Sequence, residues 1–243
     1  LNFGCPAKKI AHKGAGAGML QDIPAMIQMT RAVVEATNLP VTVKTRLGWD
    51  HQSIRIVEVA QKLQEAGIQA LTIHGRTKAQ MYQGQADWDK IAEVKQHPNL
   101  TIPIVGNGDI TRADHAGKAF DDSGVDGIMI GRATVGKPWL FKAMRTYLDE
   151  GTIMEEPGVQ EKVEVAKKHL AKSIEWKDIP RGIYEMRRHL SNYFKGLPHF
   201  KPLRTRLVTS LDPNELFDTL DYIGEKYADF DASRLKSDSF FHY

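Results

Sequence analysis

The chain's single cysteine is the first residue whose type and position could do chemistry. Cys5 lies in the motif FGCP, directly after an apolar run. Pro6 stops a strand and fixes a turn, so the thiol is expected at a strand end. A free thiol has a pKa of about 8.5 and could donate a proton at neutral pH without tuning. Simple packing is the alternative, and a nucleophilic role would need an activating base that no local motif supplies.

Two basic side chains have similar predicted positions. Lys44 lies near the end of the alternating run VTVKTRL, and His74 lies near the end of LTIHGRT, where Gly75 and Arg76 follow. An ammonium among strand residues often has an anionic or electron-rich partner, although lysine can also extend to solvent. A histidine is often a plain core or surface residue, but its position at a second strand end favours a functional role.

Two glycine-containing motifs could hold a phosphate. They are GNGDI at 106–110 and GRA at 131–133, which end the last two predicted strands before a helical region. In α/β barrels the final two strand-to-helix loops commonly cradle phosphate with backbone N–H groups. Glycine permits close backbone approach, and Arg132 would supply a fixed cation. The pair predicts a phosphorylated cofactor or substrate.

The elements that must position these motifs are alternating strands and helices. Strands are predicted at 1–4, 40–47, 68–75, 101–108 and 125–131, with helices near 22–37, 51–66, 87–96, 112–122 and 137–149. This order predicts five βα units with a parallel sheet. Because chemistry follows each strand, a (β/α)8 barrel is favoured over a doubly wound sheet. The glycines at 14–18 have the wrong spacing for a dinucleotide fingerprint and predict a tight turn into a helix.

Beyond Gly151 the pattern is helical only. Helices are predicted at 159–177, 181–195, 203–210 and 213–227, with breaks at Pro180, Gly196, Pro198, Pro202 and Pro213 and a frayed tail beyond about 232. The sequence thus predicts a partial barrel domain at 1–150 and a helical domain at 151–243.

Composition narrows the class of protein. The 243 residues are 42% hydrophobic, no run is long enough to span a membrane, and a single cysteine excludes a disulfide framework and a multi-cysteine zinc site. A soluble, cytoplasmic protein is expected. Residues 160–206 carry twelve Lys and Arg against five Asp and Glu, although the net charge of the chain is only +3. This basic segment favours a polyanionic partner, or else reflects the good helix propensity of lysine.

The successive motifs resemble those of the tRNA-dihydrouridine synthases. The matching runs are LNFGCPAKKI, GAGAGMLQ, VTVKTRLGWD, LTIHGRT, IPIVGNGDI and DGIMIGRATVGKPWLF, and RHLSNYFKGLPHFKPLR resembles the helical domain of the bacterial B-type subgroup. The resemblance implies FMN-dependent reduction of the uracil C5–C6 double bond in tRNA, with NADPH reducing the flavin. It also implies a TIM barrel followed by a helical tRNA-binding domain, and it predicts no metal and no obligate protein partner.

The resemblance assigns roles to particular residues. Cys5 would be the acid that protonates C5, and Asn2 and Arg76 would contact the substrate. The predicted FMN contacts are Lys44, His74, Asn107, Gly108, Asp109, Gly131 and Arg132. The predicted tRNA contacts in the basic segment are Arg187, Arg188, Lys195 and Arg204, with Tyr193 and Phe194 as aromatic neighbours.

One departure from the family pattern concerns the start of the chain. Family members begin with three further βα units, of about 30 residues each, including a Pro-Met-x-Gly flavin loop, so these residues are expected to be a fragment holding five of eight barrel strands. Two alternatives stay open. One is an FMN-barrel oxidoreductase for a small molecule, which would not need the basic segment, and the other is a non-catalytic RNA-binding relative.

Overall fold

The computed structural model describes residues 1–230, which form two compact units. The first unit comprises Leu1–Ile130 and Tyr147–Gly151, and the second comprises Gly131–Thr146 and the residues from Thr152 onward. The predicted division at residue 150 assigned residues 131–146 to the first domain. The tail predicted beyond about 232 lies outside the described residues.

A parallel sheet forms the centre of the first unit. Its strands are β1 (Thr42–Arg46), β2 (Ala70–His74), β3 (Ile104–Asn107) and β4 (Gly127–Met129), and they pair in sequence order. The α/β class with a parallel sheet is therefore confirmed. The strand predicted at 1–4 is a single parallel bridge between Asn2 and Lys44, because the carbonyl of Gly4 accepts from Arg46 Nε at 2.9 Å instead of continuing the ladder.

Helices connect these strands. The first unit contains α1 (Lys8–Ala11), α2 (Ile23–Glu35), α3 (Ile56–Glu65), α4 (Trp88–Lys95) and α5 (Ala113–Ser123). Side-chain caps fix the N-termini of α2 and α4. Asp22 accepts a hydrogen bond from the N–H of Ala25, and Asp87 accepts one from the N–H of Lys90, both at 3.0 Å. The glycines at 14–18 lead through a 3₁₀ turn into α2, as the sequence indicates.

The two faces of the sheet differ in chemistry. The apolar face carries Val43, Leu71, Ile73 and Ile104, each at most 1% exposed, and shares one core with residues of α2, α3 and α4. The residues between these apolar positions point to the opposite face of the sheet, which is polar, and the strand register aligns them there. The side chains on this polar face include Lys44, Arg46, Thr72, His74 and Asn107. The alternation therefore separates the core from the chemistry.

Helices make up the second unit. They are α6 (Leu140–Glu150), which continues into the first unit, and α7 (Val159–Lys177), α8 (Arg181–Tyr193), α9 (Lys201–Thr209) and α10 (Pro213–Lys226). Helices α7 to α10 surround a core that includes Leu170, Met186, Leu190 and Leu220. Pro202 does not precede α9 as predicted but lies in its first turn, where the missing N–H breaks no helical hydrogen bond. Among the described residues, no helix is long and apolar enough to cross a bilayer.

Candidate active site

A lysine and an asparagine meet on the polar face of the sheet. Lys44 Nζ of β1 donates to Asn107 Oδ1 of β3 at 3.0 Å, and Asn107 Nδ2 donates to the carbonyl of Met129 at 2.7 Å. Burial, and secondarily the positive charge of Arg46, lower the pKa of Lys44 to about 8. The structure therefore brings together two of the predicted FMN contacts in a direct hydrogen bond.

Arg46 is a buried residue of this face that the sequence analysis did not select. Its side chain is 2% exposed, and it donates to the carbonyl of Gly4 at 2.9 Å and to those of Thr77 and Met81 at 2.8 Å. These bonds join the segment before Cys5 to the loop after β2. The spacing from Lys44 was a usable signal, because residues two apart on a strand share a face.

Cys5 lies at the base of a closed loop. The thiol-bearing residue is half-buried, and its carbonyl accepts from the N–H of Ala17 at 3.0 Å. Gly16 has φ +55°, and a Cβ there would lie 2.9 Å from the Cys5 carbonyl oxygen and 3.0 Å from its Cβ. Asn2 is exposed, and its Oδ1 accepts from the N–H of Gly4 at 3.0 Å. The substrate roles of Cys5 and Asn2 stay predictions.

An ion pair holds the GNGDI turn. Arg76 is 2% exposed and donates in bidentate fashion to Asp109, at 2.8 Å to Oδ1 and 2.7 Å to Oδ2. The same Oδ2 accepts from the N–H of Ala86 at 2.7 Å, and Arg76 Nε donates to the carbonyl of Gln83 at 3.1 Å. These contacts give Arg76 a positioning role for the turn and the loop after β2. A direct substrate contact by Arg76 stays a prediction.

The glycines of the same motif permit close packing. A Cβ on Gly106 would lie 2.3 Å from the ring of Trp88, and the Trp88 indole N–H donates to the carbonyl of Gly108 at 3.1 Å. Gly108 has φ +138°, and a Cβ there would lie 2.5 Å from that of Ala86. Both glycines are therefore required by packing and backbone conformation, whether or not their N–H groups bind a ligand.

His74 lies between the ion pair and an aromatic side chain. It is 6% exposed, its Nε2 is 3.5 Å from Arg76 Nη1, and its ring is 6.3 Å from that of Tyr82. The Arg46 guanidinium lies 5.6 Å from the same Tyr82 ring. Tyr82 is 46% exposed and was missed by the sequence analysis, because it lies in an irregular loop where spacing gives no signal.

Gly131 and Arg132 belong to the second unit. Gly131 precedes a 3₁₀ turn at Arg132–Thr134, and Thr134 Oγ1 donates to the Gly131 carbonyl at 2.7 Å. A Cβ built on Gly131 meets no heavy atom within 4 Å, so the backbone there is open. An exposed backbone turn with an adjacent arginine suits a phosphate, and this role stays a prediction.

The predicted tRNA contacts of the second unit differ in exposure. Arg188 and Arg204 are exposed, and Lys195 is half-buried. Arg187 stacks on the ring of Tyr184, 4.6 Å from its centroid, and its Nη2 donates to the Thr209 carbonyl at 3.2 Å. Arg187 therefore contributes to helix packing as well as to surface charge.

The expectation that Tyr193 and Phe194 are aromatic neighbours available to RNA is wrong. Their side chains are 3% and 1% exposed and belong to the helical core, because they lie on the apolar side of α8 and at its end. His169 Nδ1 lies 3.1 Å from the Tyr193 hydroxyl, and the rings of His169 and His189 meet edge to face at 4.7 Å. Burial lowers the pKa of both histidines and raises that of Tyr193 to about 12.

Together these contacts define an α/β protein whose cations, histidine and amide cluster at the ends of parallel strands, the usual position of a site in such sheets. The chain belongs to the dihydrouridine synthase (Dus) family, whose model matches residues 1–229. The resemblance identified from the sequence motifs is thereby confirmed.

Curated relatives agree with this assignment. The "Probable tRNA-dihydrouridine synthase 1" of Synechocystis sp. is 42% identical over 91% of this chain and 61% of its own length. The "tRNA-dihydrouridine synthase B" of Pasteurella multocida is 39% identical over 88% and 64%, respectively. The "Probable tRNA-dihydrouridine synthase" of Rickettsia conorii is 36% identical over 98% and 69%. This chain thus spans 61 to 69% of the length of these relatives.

Proposed function

We propose that this chain acts in the FMN-dependent reduction of specific uridines in tRNA to 5,6-dihydrouridine, with NADPH as the source of electrons. The observation that carries the proposal is the polar strand-end face, where the Lys44–Asn107 pair lies on the sheet and Arg46 fixes the backbone next to Cys5. We also propose that this reaction takes place in the cytoplasm.

The fold proposal follows from the two faces of the sheet. A closed (β/α)8 barrel has polar functional side chains at its strand ends, and helices cover its outer apolar face. The bridged segment at Asn2 and strands β1 to β4 have this arrangement. We therefore propose that they form five βα units of such a barrel, and that the helical domain at 151–243 binds tRNA.

The donor set of this face fits FMN. When bound, FMN would supply the hydride that reduces C6 of the uracil ring. Lys44 and His74 would lie around the isoalloxazine, where a half-buried ammonium favours a group that gains negative charge on reduction. Gly131 and Arg132 would hold the phosphate.

The GNGDI turn would contribute to FMN binding through its backbone. The Asp109 carboxylate already accepts from Arg76 and Ala86, and its negative charge would repel a phosphate. Asn107 ends β3, and Gly108 lies on the turn directly before Asp109. We therefore assign Asp109 the role of fixing the turn, with FMN contacts made by the main chain.

Cys5 would complete the reduction by protonating C5 of the uracil. The balance of the reaction requires one hydride at C6 and one proton at C5, and the Cys5 thiol supplies that proton. Asn2 would hold the base through its amide. Arg46 would keep the thiol in place through the carbonyl of Gly4.

Replacement of Cys5 tests this role. In Cys5→Ala, flavin binding and flavin reduction by NADPH should be unchanged, since neither step needs the thiol. Reoxidation of the reduced flavin by tRNA should slow by about 10² to 10⁴, the usual contribution of a general acid. Stopped-flow absorbance follows the two half-reactions separately. Reoxidation by tRNA at the wild-type rate would exclude the acid role.

A further inference from the structure

We infer that the loop between Cys5 and Ala17 binds the phosphate backbone of the RNA strand that carries the target uridine. The contacts would come from three lysines, Lys8, Lys9 and Lys13. This site is additional to the basic segment of the second unit, and it rests on the proposed function. The inference depends on three properties of the loop, namely its rigidity, its unpaired charge and its distance from the thiol.

The loop is held closed at the cysteine itself. The N–H of Ala17 donates to the Cys5 carbonyl at 3.0 Å, and Gly16 packs directly on Cys5 with no room for a side chain. Within the loop, between Cys5 and Ala17, α1 begins at Lys8. The N–H groups of Ile10 and Ala11 both donate to the carbonyl of Ala7 at 2.9 Å. The lysines are therefore carried on an ordered loop that starts and ends at the reactive residue.

In the part of the chain that the structure describes, the charge of this loop is exposed and uncompensated. Lys8, Lys9, His12 and Lys13 are all exposed, and residues 5–17 contain no acidic side chain. Within residues 1–230 none of these three lysines forms an ion pair or a side-chain hydrogen bond. Ammonium groups that are unpaired in the protein are the ones that gain most from replacing counterions at a phosphate.

Many basic side chains of the second unit, by contrast, form ion pairs with acidic side chains. Lys167 pairs with Asp221 and Lys172 with Glu175, both at 2.6 Å, and Lys162 lies 3.4 Å from Glu156. The excess charge counted in residues 160–206 therefore overstates the charge available to a polyanion. Among residues 1–230, the three lysines of the loop after Cys5 have no such acidic partner.

The distance from the thiol suits a contact close to the reacting nucleotide. Lys8 is three positions after Cys5, so their Cα atoms lie at most about 11 Å apart. A surface groove of about 430 Å³, lined by His12, Gln21 and Trp49 among others, adjoins the loop. A target base must leave its stack to be reduced, and RNA recognition of this kind mostly targets single-stranded loops, so we expect a single strand to pass this loop.

The test measures binding of an unmodified tRNA transcript at several salt concentrations. The variants are the triple Lys8→Gln, Lys9→Gln, Lys13→Gln and the matching triple Lys→Arg, which keeps the charge. Lys167→Gln is the matched control, because it removes one lysine whose charge is already paired with Asp221. Affinity is read by fluorescence anisotropy, and circular dichroism checks that each variant is folded.

In the glutamine triple the negative slope of log K against log salt should become shallower by about 2, since each phosphate contact on a single strand contributes roughly −0.7. A rise from about 50 to 200 mM salt should therefore cost the wild type about 15- to 20-fold more affinity than this variant. The arginine triple should restore the wild-type slope, and Lys167→Gln should retain it.

Three results would overturn the inference, and they are distinguishable. If the wild-type protein binds tRNA and the glutamine triple has the same affinity and slope, the loop is not a phosphate site, although the proposed function stands. If the wild-type protein shows no salt-dependent tRNA binding at all, both the loop site and the proposed function are wrong. A charge-based contact would also be excluded if the glutamine triple reduced the salt dependence of binding and the arginine triple did not restore it to the wild-type value.

Discussion

The Arg76–Asp109 ion pair should be a main stabilising contact of the first unit, and Asp109→Asn tests it. The two carboxylate oxygens accept at least three hydrogen bonds, and Oδ2 takes two of these, from Arg76 Nη2 and the Ala86 N–H. An asparagine has one acceptor oxygen, so its amide N–H₂ must face at least one donor. Arg76 is 2% exposed, and its charge would lose its carboxylate partner.

The size of the effect follows from the burial of the two partners. Removing one partner of a buried pair costs about 3 to 5 kcal/mol. Because the Asp109 side chain is 35% exposed, we reduce this to about 2 to 3 kcal/mol for solvent screening. The exposed pair of Lys118 and Asp122, 4.0 Å apart, is the matched control, and Asp122→Asn should cost less than about 0.5 kcal/mol.

Urea unfolding followed by tryptophan fluorescence would measure both variants, and one of the four tryptophans, Trp88, bonds to the same turn. Hydrogen exchange of the Ala86 amide would report the local effect, and exchange should accelerate in Asp109→Asn. If Asp109→Asn costs no more free energy of unfolding than Asp122→Asn, the ion pair is not the contact that holds the turn.

Three further predictions concern other parts of the molecule. Arg132→Ala should weaken FMN retention, because a guanidinium forms charge-assisted bonds to phosphate, and full flavin occupancy in the purified variant would refute the assignment. The pKa values of His169 and His189 are lowered in the folded protein, so the unfolded chain binds more protons than the helical unit once the pH falls below 6.5. The melting temperature of this unit should therefore fall as the pH drops from 7 to 5. The fall should be smaller in His169→Phe. The pKa of Lys44 is about 8 in the folded protein against 10.5 otherwise, so its contribution to the free energy of unfolding should rise with pH between these values, and the rise should be absent in Lys44→Met.

Periodicity predicted the elements well where the pattern was long. The strands β1 to β4 and the helices α2 to α10 lie within three residues of their predicted bounds, except that α3 begins five residues later than predicted. The agreement is close because alternating burial and helical caps are local properties of the sequence. The four-residue helix α1 and the single bridge at Asn2 were not predicted, since short elements depend on contacts made elsewhere in the chain.

The site residues were found where strand ends carried them, and missed where only the fold brings them together. Lys44, His74 and Asn107 follow from position on a strand. The face on which Arg46 lies follows from its spacing from Lys44. The buried contacts of Arg46 and Arg76, however, involve carbonyl and carboxylate partners more than 30 residues away, which no local pattern reveals. The burial of Tyr193 and Phe194 likewise depends on the packing of neighbouring helices.

The most direct test of the proposed function is to incubate the flavin-loaded protein with NADPH and a tRNA transcript that lacks modifications. Mass spectrometry of the nuclease fragments should show one or a few uridines that have gained two hydrogen atoms, and none in the absence of NADPH. A protein that holds FMN and oxidises NADPH but leaves the mass of every tRNA fragment unchanged would contradict the proposal.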